Sequence, residues 1–253
     1  GLAGFTGGPR FNIDAPNGGV SWVGFNFNHN LAFNHGPFAA SGFVMGNFGR
    51  YESTRENTTK PRTLDIAGVG ANLELQYNWG TSNADVISLE GFVTSGDSNP
   101  GDGTYNGVFT LNTYGLPGAV WFNHKTLLLF PFSSTVNNYT GAISDISNQG
   151  YGMTTGILAA NWDVIPNTLL LKVGTAAAWA NAVPGDLTAD TGRGTFMGAE
   201  VNAEVKWTIR YLMTVGLHGA YLFKGNFYDG EFIRTRVTRA PWALFTTFTW
   251  YGF

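Results

Sequence analysis

Strict alternation of apolar and polar residues over unusually long segments is the feature that most constrains the fold of this chain. Between residues 65 and 79, the odd positions are apolar from Ala67 to Trp79, whereas the even positions from Gly68 to Asn78 are glycine or polar. Successive side chains of a β-strand point to opposite faces, so this pattern predicts one strand with an apolar and a polar face. Its length exceeds the roughly five or six residues of a typical soluble strand and suits a tilted strand that crosses a membrane.

The same alternation recurs along most of the chain. It is clear in residues 84–95, 168–180, 196–208 and 211–223, and the last two segments form a predicted hairpin. Less regular alternation predicts strands at residues 20–33, 38–51, 105–116, 119–132, 151–164 and 240–253. These candidates number eleven, whereas bacterial barrels have an even number of strands. Either residues 2–13 add a twelfth strand, or the chain is the carboxyl-terminal part of a larger barrel.

Composition favours a lipid environment for these strands. Charged residues make up 12% of the chain, against roughly a quarter in an average soluble domain. No window approaches the ~18–20 consecutive apolar residues of a spanning helix, and a closed barrel is the other spanning structure that satisfies every backbone amide. The sequence therefore predicts an all-β fold, an antiparallel transmembrane β-barrel of about twelve strands that forms one domain over residues 1–253. The net charge of −3 disfavours nucleic acid as a partner.

Connections between the candidate strands alternate in length. Short ones are predicted at residues 34–37, 80–83, 117–118, 165–167 and 209–210, and long ones at residues 52–62, 96–104, 133–150, 181–194 and 224–239. Outer-membrane barrels have short periplasmic turns and long extracellular loops, so this pattern predicts a location in the bacterial outer membrane. An exported protein loses its signal peptide, and we therefore interpret Gly1 as the start of a mature or trimmed form.

Aromatic residues mark the predicted strand ends, where lipid headgroups begin. The expected membrane-interface aromatic residues are Trp22, Trp79, Trp162, Trp179, Trp207, Tyr211, Trp242 and Trp250. The chain ends in Thr-Trp-Tyr-Gly-Phe, which resembles the terminal assembly signal of outer-membrane barrels. This resemblance implies that Tyr251 and Phe253 engage the barrel-assembly machinery.

The polar side of each strand supplies the candidate functional residues, because the interior of such a barrel is polar. The predicted lumen-lining residues are Asn72, Glu74, Gln76, Glu90, Lys172, Glu200, Asn202, Glu204, Lys206 and His218. They favour an outer-membrane channel for passive diffusion of small polar solutes, with selectivity set by charge and diameter. The alternative is a non-conducting structural barrel that houses or anchors partner proteins, with the same charges paired across a closed lumen.

Other sites are weaker candidates. The four histidines show no spacing with a serine or aspartate that indicates a nucleophile and base, so we predict no enzyme and no cofactor. The loop that contains Asp97, Asn99 and Asp102 offers oxygen ligands for calcium, although such residues are also common in plain turns. A basic cluster near the predicted outer rim has the charge to contact lipopolysaccharide phosphates: Arg234, Arg236 and Arg239.

Residues near the last predicted hairpin resemble a known family. The segments Gly-Ala-Glu-Val-Asn at 198–202 and Tyr-Leu-Phe-Lys-Gly-Asn-Phe at 221–227 are similar to the closing region of alginate-export-type porins. The resemblance covers about a quarter of the chain and implies a large barrel whose pore carries polysaccharide along basic residues. The predicted lumen set departs from that pattern, because it contains several carboxylates and no arginine.

Overall fold

The fold is all-β in a computed structural model of the chain, which describes residues 13–56, 59–99, 102–108, 125–129, 148–183, 194–228 and 240–250. The strands are β1 (Pro16–His29), β2 (Phe38–Ser53), β3 (Thr63–Asn78), β4 (Val86–Thr94), β5 (Thr104–Tyr105), β6 (Met153–Ile165), β7 (Leu169–Ala180), β8 (Phe196–Arg210), β9 (Met213–Lys224) and β10 (Trp242–Trp250). Two short 3-10 turns cover Asn148–Gly150 and Asn226–Tyr228. In this part of the chain, no helix is long and apolar enough to cross a membrane.

The ten strands belong to one sheet. Its order is β1-β2-β3-β4-β6-β7-β8-β9-β10, every neighbouring pair on this path is antiparallel, and the two-residue β5 pairs in parallel with β3. Within the described ranges, β1 pairs with β2 alone and β10 with β9 alone, so this sheet has two free edges and is not closed into a barrel. Residues 2–12, which include most of the candidate twelfth strand, lie outside those ranges.

The strand bounds confirm four of the five predicted short connections, whereas the turn predicted at residues 117–118 lies outside the described residues, within one long connection between β4 and β6. Residues 30–37, 79–85, 166–168 and 211–212 join strands at one end of the sheet, whereas residues 54–62, 95–152, 181–195 and 225–241 join them at the other. The tightest short connections use the left-handed backbone region, with φ of 60° at Asn167 and 65° at Leu212. We call the two ends of the sheet the short-turn end and the long-loop end.

The two strands predicted at residues 105–116 and 119–132 do not lie between β4 and β6 in the sheet, and residues 109–124 and 130–132 lie outside the described ranges. β4 pairs directly with β6, from Ile87 opposite Ala160 to Thr94 opposite Met153. Of the segment predicted at 105–116, only Tyr105 belongs to a strand in the described part, and Leu127, Leu128 and Leu129 from the segment predicted at 119–132 are all buried. Consecutive buried apolar residues do not fit a strand with one polar face, because successive side chains of a strand alternate between faces.

The two faces of the sheet differ, because one combines buried polar and apolar side chains whereas the other exposes apolar rows. The first face, here called the inner face, contains the buried residues of the strands, including Glu74, Glu90, Glu200 and Asn202. The opposite, outer face exposes large apolar side chains from each long strand, among them Val23, Val44, Leu73, Leu89, Leu158, Val173, Val205, Leu217 and Phe248. Buried carboxylates and exposed aliphatic rows reverse the usual arrangement of a water-soluble domain.

Apolar residues of the inner face pack against the segments that lie on it. One cluster joins Phe92, Ile157, Ala178 and Met197 of the strands to Leu127, Leu128 and Leu129. A second, smaller cluster contains Ile13, Leu64, Ile66 and Tyr105. Tyr105, Val108 and residues 126–129 of the connection between β4 and β6 are therefore buried in the interior of the protein.

Candidate functional site on the inner face

All ten predicted lumen-lining residues lie on inner-face rows of the strands, because each strand keeps its two-residue period. The buried members are Glu74, Glu90, Glu200 and Asn202, and the half-buried ones are Asn72, Gln76, Lys172, Glu204 and His218. Lys206 follows Glu204 on the same row of β8 but is exposed near the short-turn end. The side chains form two clusters, one around Lys125 and one around Glu204.

The first cluster pairs two carboxylates with one lysine. The Lys125 ammonium lies 2.5 Å from Glu74 Oε1 and 2.8 Å from Glu90 Oε2, so it bridges β3 and β4. Asn72 Nδ2 donates to the other oxygen of Glu90 at 2.6 Å, and Gln76 Nε2 donates to Glu74 Oε1 at 2.5 Å. Removing the lysine would leave two nearby buried carboxylates without their cation, which is strongly unfavourable.

Glu200 of β8 binds the backbone of the segment that begins at Lys125. Its side chain is fully buried, with an exposed fraction of 0%. Oε1 accepts the Leu127 N–H at 2.6 Å, and Oε2 accepts the N–H groups of Leu128 and Leu129 at 2.9 and 2.5 Å. Asn202 Nδ2 donates both to Glu200 Oε1 at 3.0 Å and to the Lys125 carbonyl at 3.2 Å. Consecutive backbone N–H groups thus converge on one carboxylate, as in an anion-binding nest.

The second cluster links four strands near the β10 edge. Glu204 accepts from the Lys172 ammonium at 2.5 Å and lies 2.8 Å from His218 Nδ1. His218 Nε2 lies 3.0 Å from Thr247 Oγ1, and its ring stacks on Phe245 with a centroid distance of 4.7 Å. These contacts run from Lys172 on β7 through Glu204 on β8 and His218 on β9 to Thr247 on β10, and they fix the orientation of the four side chains.

The two clusters together favour cations over anions. They contain Glu74, Glu90, Glu200 and Glu204, but the described lysines that pair with them are Lys125 and Lys172. Within the two clusters carboxylates therefore outnumber ammonium groups, whereas Lys206 and Lys224 lie on the inner rows outside them. A field of that sign attracts cations and repels anions from any aqueous path along the inner face.

Seven of the eight predicted interface aromatic residues are exposed. At the short-turn end these are Trp79, Trp162, Trp207, Tyr211 and Trp250, and toward the long-loop end they are Trp179 and Trp242. Trp79 and Trp162 lie with ring centroids 6.2 Å apart, and the Trp79 indole N–H donates to the Asn161 carbonyl at 3.2 Å.

The eighth predicted interface aromatic residue, Trp22, does not lie on the outer face. It packs against the inner cluster around Leu64 and Tyr105 and is opposite the buried Asn47 of β2. Trp22 occupies an even position of β1, whereas Val23, Phe25 and Phe27 occupy the exposed odd positions. The apolar side chains on both faces of β1 obscure this assignment in the sequence.

The predicted calcium loop uses its oxygens for its own backbone. Asp97 Oδ1 accepts the Asn99 N–H at 2.8 Å, and Asp102 Oδ1 accepts the N–H and hydroxyl of Thr104 at 2.9 and 2.7 Å. The Thr104 hydroxyl and N–H lower the pKa of Asp102. In the part of the chain that is described, no group of three or more histidine, aspartate or glutamate side chains is arranged to hold a metal ion. The calcium prediction is therefore not supported by this geometry.

A carboxylate at the short-turn end fastens one turn to a neighbouring strand. Asp85 Oδ2 accepts the N–H groups of Thr81 and Ser82, both at 3.0 Å, and Oδ1 accepts the Asp163 N–H of β6 at 2.8 Å. These backbone donors, with that of Asp163 first, lower the pKa of Asp85. The other predicted sites at Arg234, Arg236, Arg239, Tyr251 and Phe253 lie outside the described residues.

Sequence reasoning missed Lys125 and Thr247 as members of the site. Lys125 falls in the strand predicted at residues 119–132, but a single lysine beside the apolar run Thr-Leu-Leu-Leu-Phe in a chain poor in charge indicates that a buried partner is needed. Thr247 lies on a strand whose two faces are both largely apolar, and its pairing with His218 follows from the register of β9 and β10.

Comparison with known protein families yields no match for this chain, and a search of curated proteins yields none either. The segments that resemble alginate-export-type porins meet on β8 and β9, where Glu200 is opposite Leu222, and the second segment continues into the 3-10 turn after β9. The resemblance remains a prediction.

Proposed function

We propose that this protein is a transmembrane β-barrel of the bacterial outer membrane that acts as a porin-like channel for small polar solutes. The observation that carries the proposal is the reversed chemistry of the sheet, with carboxylates on the buried inner face and aliphatic and aromatic rows on the exposed outer face. Water would make such an outer face unfavourable, whereas hydrocarbon makes it stable. Apart from the two-residue β5, the strands contain 9 to 16 residues, which match the length that a tilted membrane-spanning strand requires.

The spacing of the exposed tryptophans supports the same proposal. Trp242 and Trp250 lie on the outer side of β10, eight residues apart, which corresponds to about 27 Å along the strand. A tilt of about 35–45° reduces this to roughly 19–22 Å along the membrane normal, close to the ~25 Å apolar band of such barrels. Trp162 is opposite Leu171, and Trp179 follows Leu171 by the same eight residues. Two aromatic girdles at this separation are typical of outer-membrane barrels.

The proposal requires that the edges β1 and β10 become joined, because unpaired strand edges are not stable in hydrocarbon. A barrel of about twelve strands closes with strands from the same chain, and a larger barrel closes with strands upstream of it. Membrane lipid and lipopolysaccharide then contact the outer face, and the barrel-assembly machinery inserts the protein. Hydrogen exchange in lipid tests this requirement. The amides of β1 that point away from β2, and those of β10 that point away from β9, are protected if the ring is closed and exchange rapidly if it is open.

Transport in this proposal needs no bond-making step. Polar solutes would pass the two clusters of the inner face, where four carboxylates and two paired lysines give a preference for cations. We expect discrete openings when the purified full chain is inserted into a planar bilayer, with cation selectivity that falls in Glu204→Gln. Asp65→Asn is the matched control, because Asp65 lies exposed beside Arg50 on the outer face. Equal selectivity in both variants would contradict a path along Glu204.

A specific observation favours a second function, a non-conducting structural barrel that anchors partner proteins. Residues 125–129 lie on the inner face and fill space between β4 and β8, held by Glu90 and Glu200. A lumen filled in this way would support a scaffold and not a channel. A folded, inserted protein that shows no openings over the full voltage range would favour the structural role.

A further inference from the structure

The connection between β4 and β6 sends five described residues, 125–129, across the inner face of the sheet. The Lys125 side chain contacts β3 and β4, whereas the Lys125 carbonyl and the next backbone N–H groups contact β8. The path from β4 to β8 crosses three strand spacings, about 14 Å. The segment is therefore attached at two separate places, one on each side of β6 and β7.

Small side chains on the inner row of β7 make room for this segment. The inner row of β7 contains Gly174, Ala176, Ala178 and Ala180, and Ala159 lies on the inner row of β6. Ala176 and Ala178 belong to the same apolar cluster as the three leucines at 127–129. A row of small residues opposite a run of leucines indicates complementary packing that the sequence encodes on both sides.

The attachment at Glu200 differs from an ordinary salt bridge. The buried carboxylate binds three consecutive backbone N–H groups and the Asn202 amide, and no lysine or arginine pairs with it in the part of the chain that is described. A buried carboxylate without donors is very unfavourable, so loss of the segment would leave Glu200 uncompensated. The N–H groups of Leu127, Leu128 and Leu129 in turn have this one acceptor in place of a strand ladder.

We propose that Glu200 is the positioning residue of an internal constriction, and that its attachment to residues 125–129 sets the aperture of the channel. The aperture part of this inference rests on the proposed channel function. The attachment itself does not, and it is measured separately. Glutamine at position 200 has one acceptor oxygen, so its amide nitrogen would face at least one N–H group that the carboxylate now satisfies.

Thiol labelling measures the attachment directly, because the chain contains no cysteine. Thr126→Cys places one thiol in the segment at a position with an exposed fraction of 2%. We expect a membrane-impermeant thiol reagent to label it slowly in the otherwise wild-type protein. Adding Glu200→Gln should accelerate labelling at least about tenfold, since the loss of one hydrogen bond to a charged group changes an opening equilibrium by about that factor.

Glu204→Gln in the same Thr126→Cys protein is the matched control. It makes the same chemical change on the same inner row of β8, but Glu204 contacts Lys172 and His218 and not the segment. Lys125→Met is a second variant that releases the other attachment if Glu200→Gln does not fold. The inference is overturned if labelling stays slow in both Glu200→Gln and Lys125→Met while these variants are folded. It is also overturned if Glu204→Gln accelerates labelling as much as Glu200→Gln does.

Solute exclusion by liposome swelling measures the aperture. With Glu200→Gln, neutral sugars larger than the wild-type limit should enter, whereas the limit should not change with Asp65→Asn, because Asp65 lies exposed beside Arg50 on the outer face. Faster labelling without any change in the size limit of a conducting protein overturns the assignment of 125–129 as the constriction. Faster labelling in a protein that never conducts refutes the channel and leaves the attachment at Glu200 supported.

Discussion

A charge placed in the middle of the outer face tests whether that face meets hydrocarbon. Leu217 of β9 has an exposed fraction of 46% and is opposite Thr246, which is four residues from both Trp242 and Trp250. If the two tryptophans mark the membrane interfaces, Leu217 lies near the midplane. Arginine at such a site costs about 2–4 kcal/mol of folding free energy, whereas near an interface the cost is about 0–1 kcal/mol.

The assay is reversible urea unfolding of Leu217→Arg in lipid vesicles. For an m-value of about 3 kcal/mol per molar urea, a cost of 3 kcal/mol lowers the unfolding midpoint by about 1 M. Tyr211→Arg is the matched control, because Tyr211 has an exposed fraction of 87% and lies in the short connection after β8. Its midpoint should fall by less than about 0.3 M.

A water-facing outer surface predicts a different result for the same pair of variants. Substitutions on a solvated surface usually change the free energy of unfolding by less than about 0.5 kcal/mol, whatever their position. If Leu217→Arg and Tyr211→Arg shift the midpoint equally and by this small amount, the outer face does not contact hydrocarbon. The membrane proposal would then be refuted, and the inner-face attachment of residues 125–129 would still stand on its own contacts.

Two further predictions concern single contacts. Backbone donors lower the pKa of Asp85. The Asp85 carboxylate therefore stabilises the fold fully above the ordinary carboxyl pKa, and this stabilisation is lost as the pH falls through the lowered pKa. Asp85→Asn should unfold at a lower urea concentration than the wild type at pH 7, and the difference between the two urea midpoints should shrink below about pH 4. A Cβ at Gly216 would clash with the His218 ring and the Thr247 hydroxyl, so Gly216→Ala should cost about 1–3 kcal/mol in urea unfolding, whereas Gly91→Ala, which has open space, should cost almost nothing. Equal effects of the two alanines would show that the link between His218 and Thr247 contributes no stability.

The sequence by itself determined the long strands and their two faces. A period of two is a local property, because each side chain points opposite to its neighbours whatever the strand pairs with. Alternation alone therefore places Glu74, Glu90, Glu200 and His218 on the polar rows of their strands, whatever the pairing. Short and long connections were also readable, since turns between antiparallel neighbours need few residues.

Only the tertiary structure decided what covers the inner face. Lys125 and Glu74 are 51 residues apart, and Leu129 and Glu200 are 71 residues apart, so no local pattern links them. The face on which Trp22 lies is also decided by pairing, because Trp22 is opposite the buried Asn47 of β2. Local alternation fixes which way a side chain points. The partner of that side chain depends on where a long connection returns to the sheet. The place of that return depends in turn on how charge and apolar surface are buried over the whole molecule.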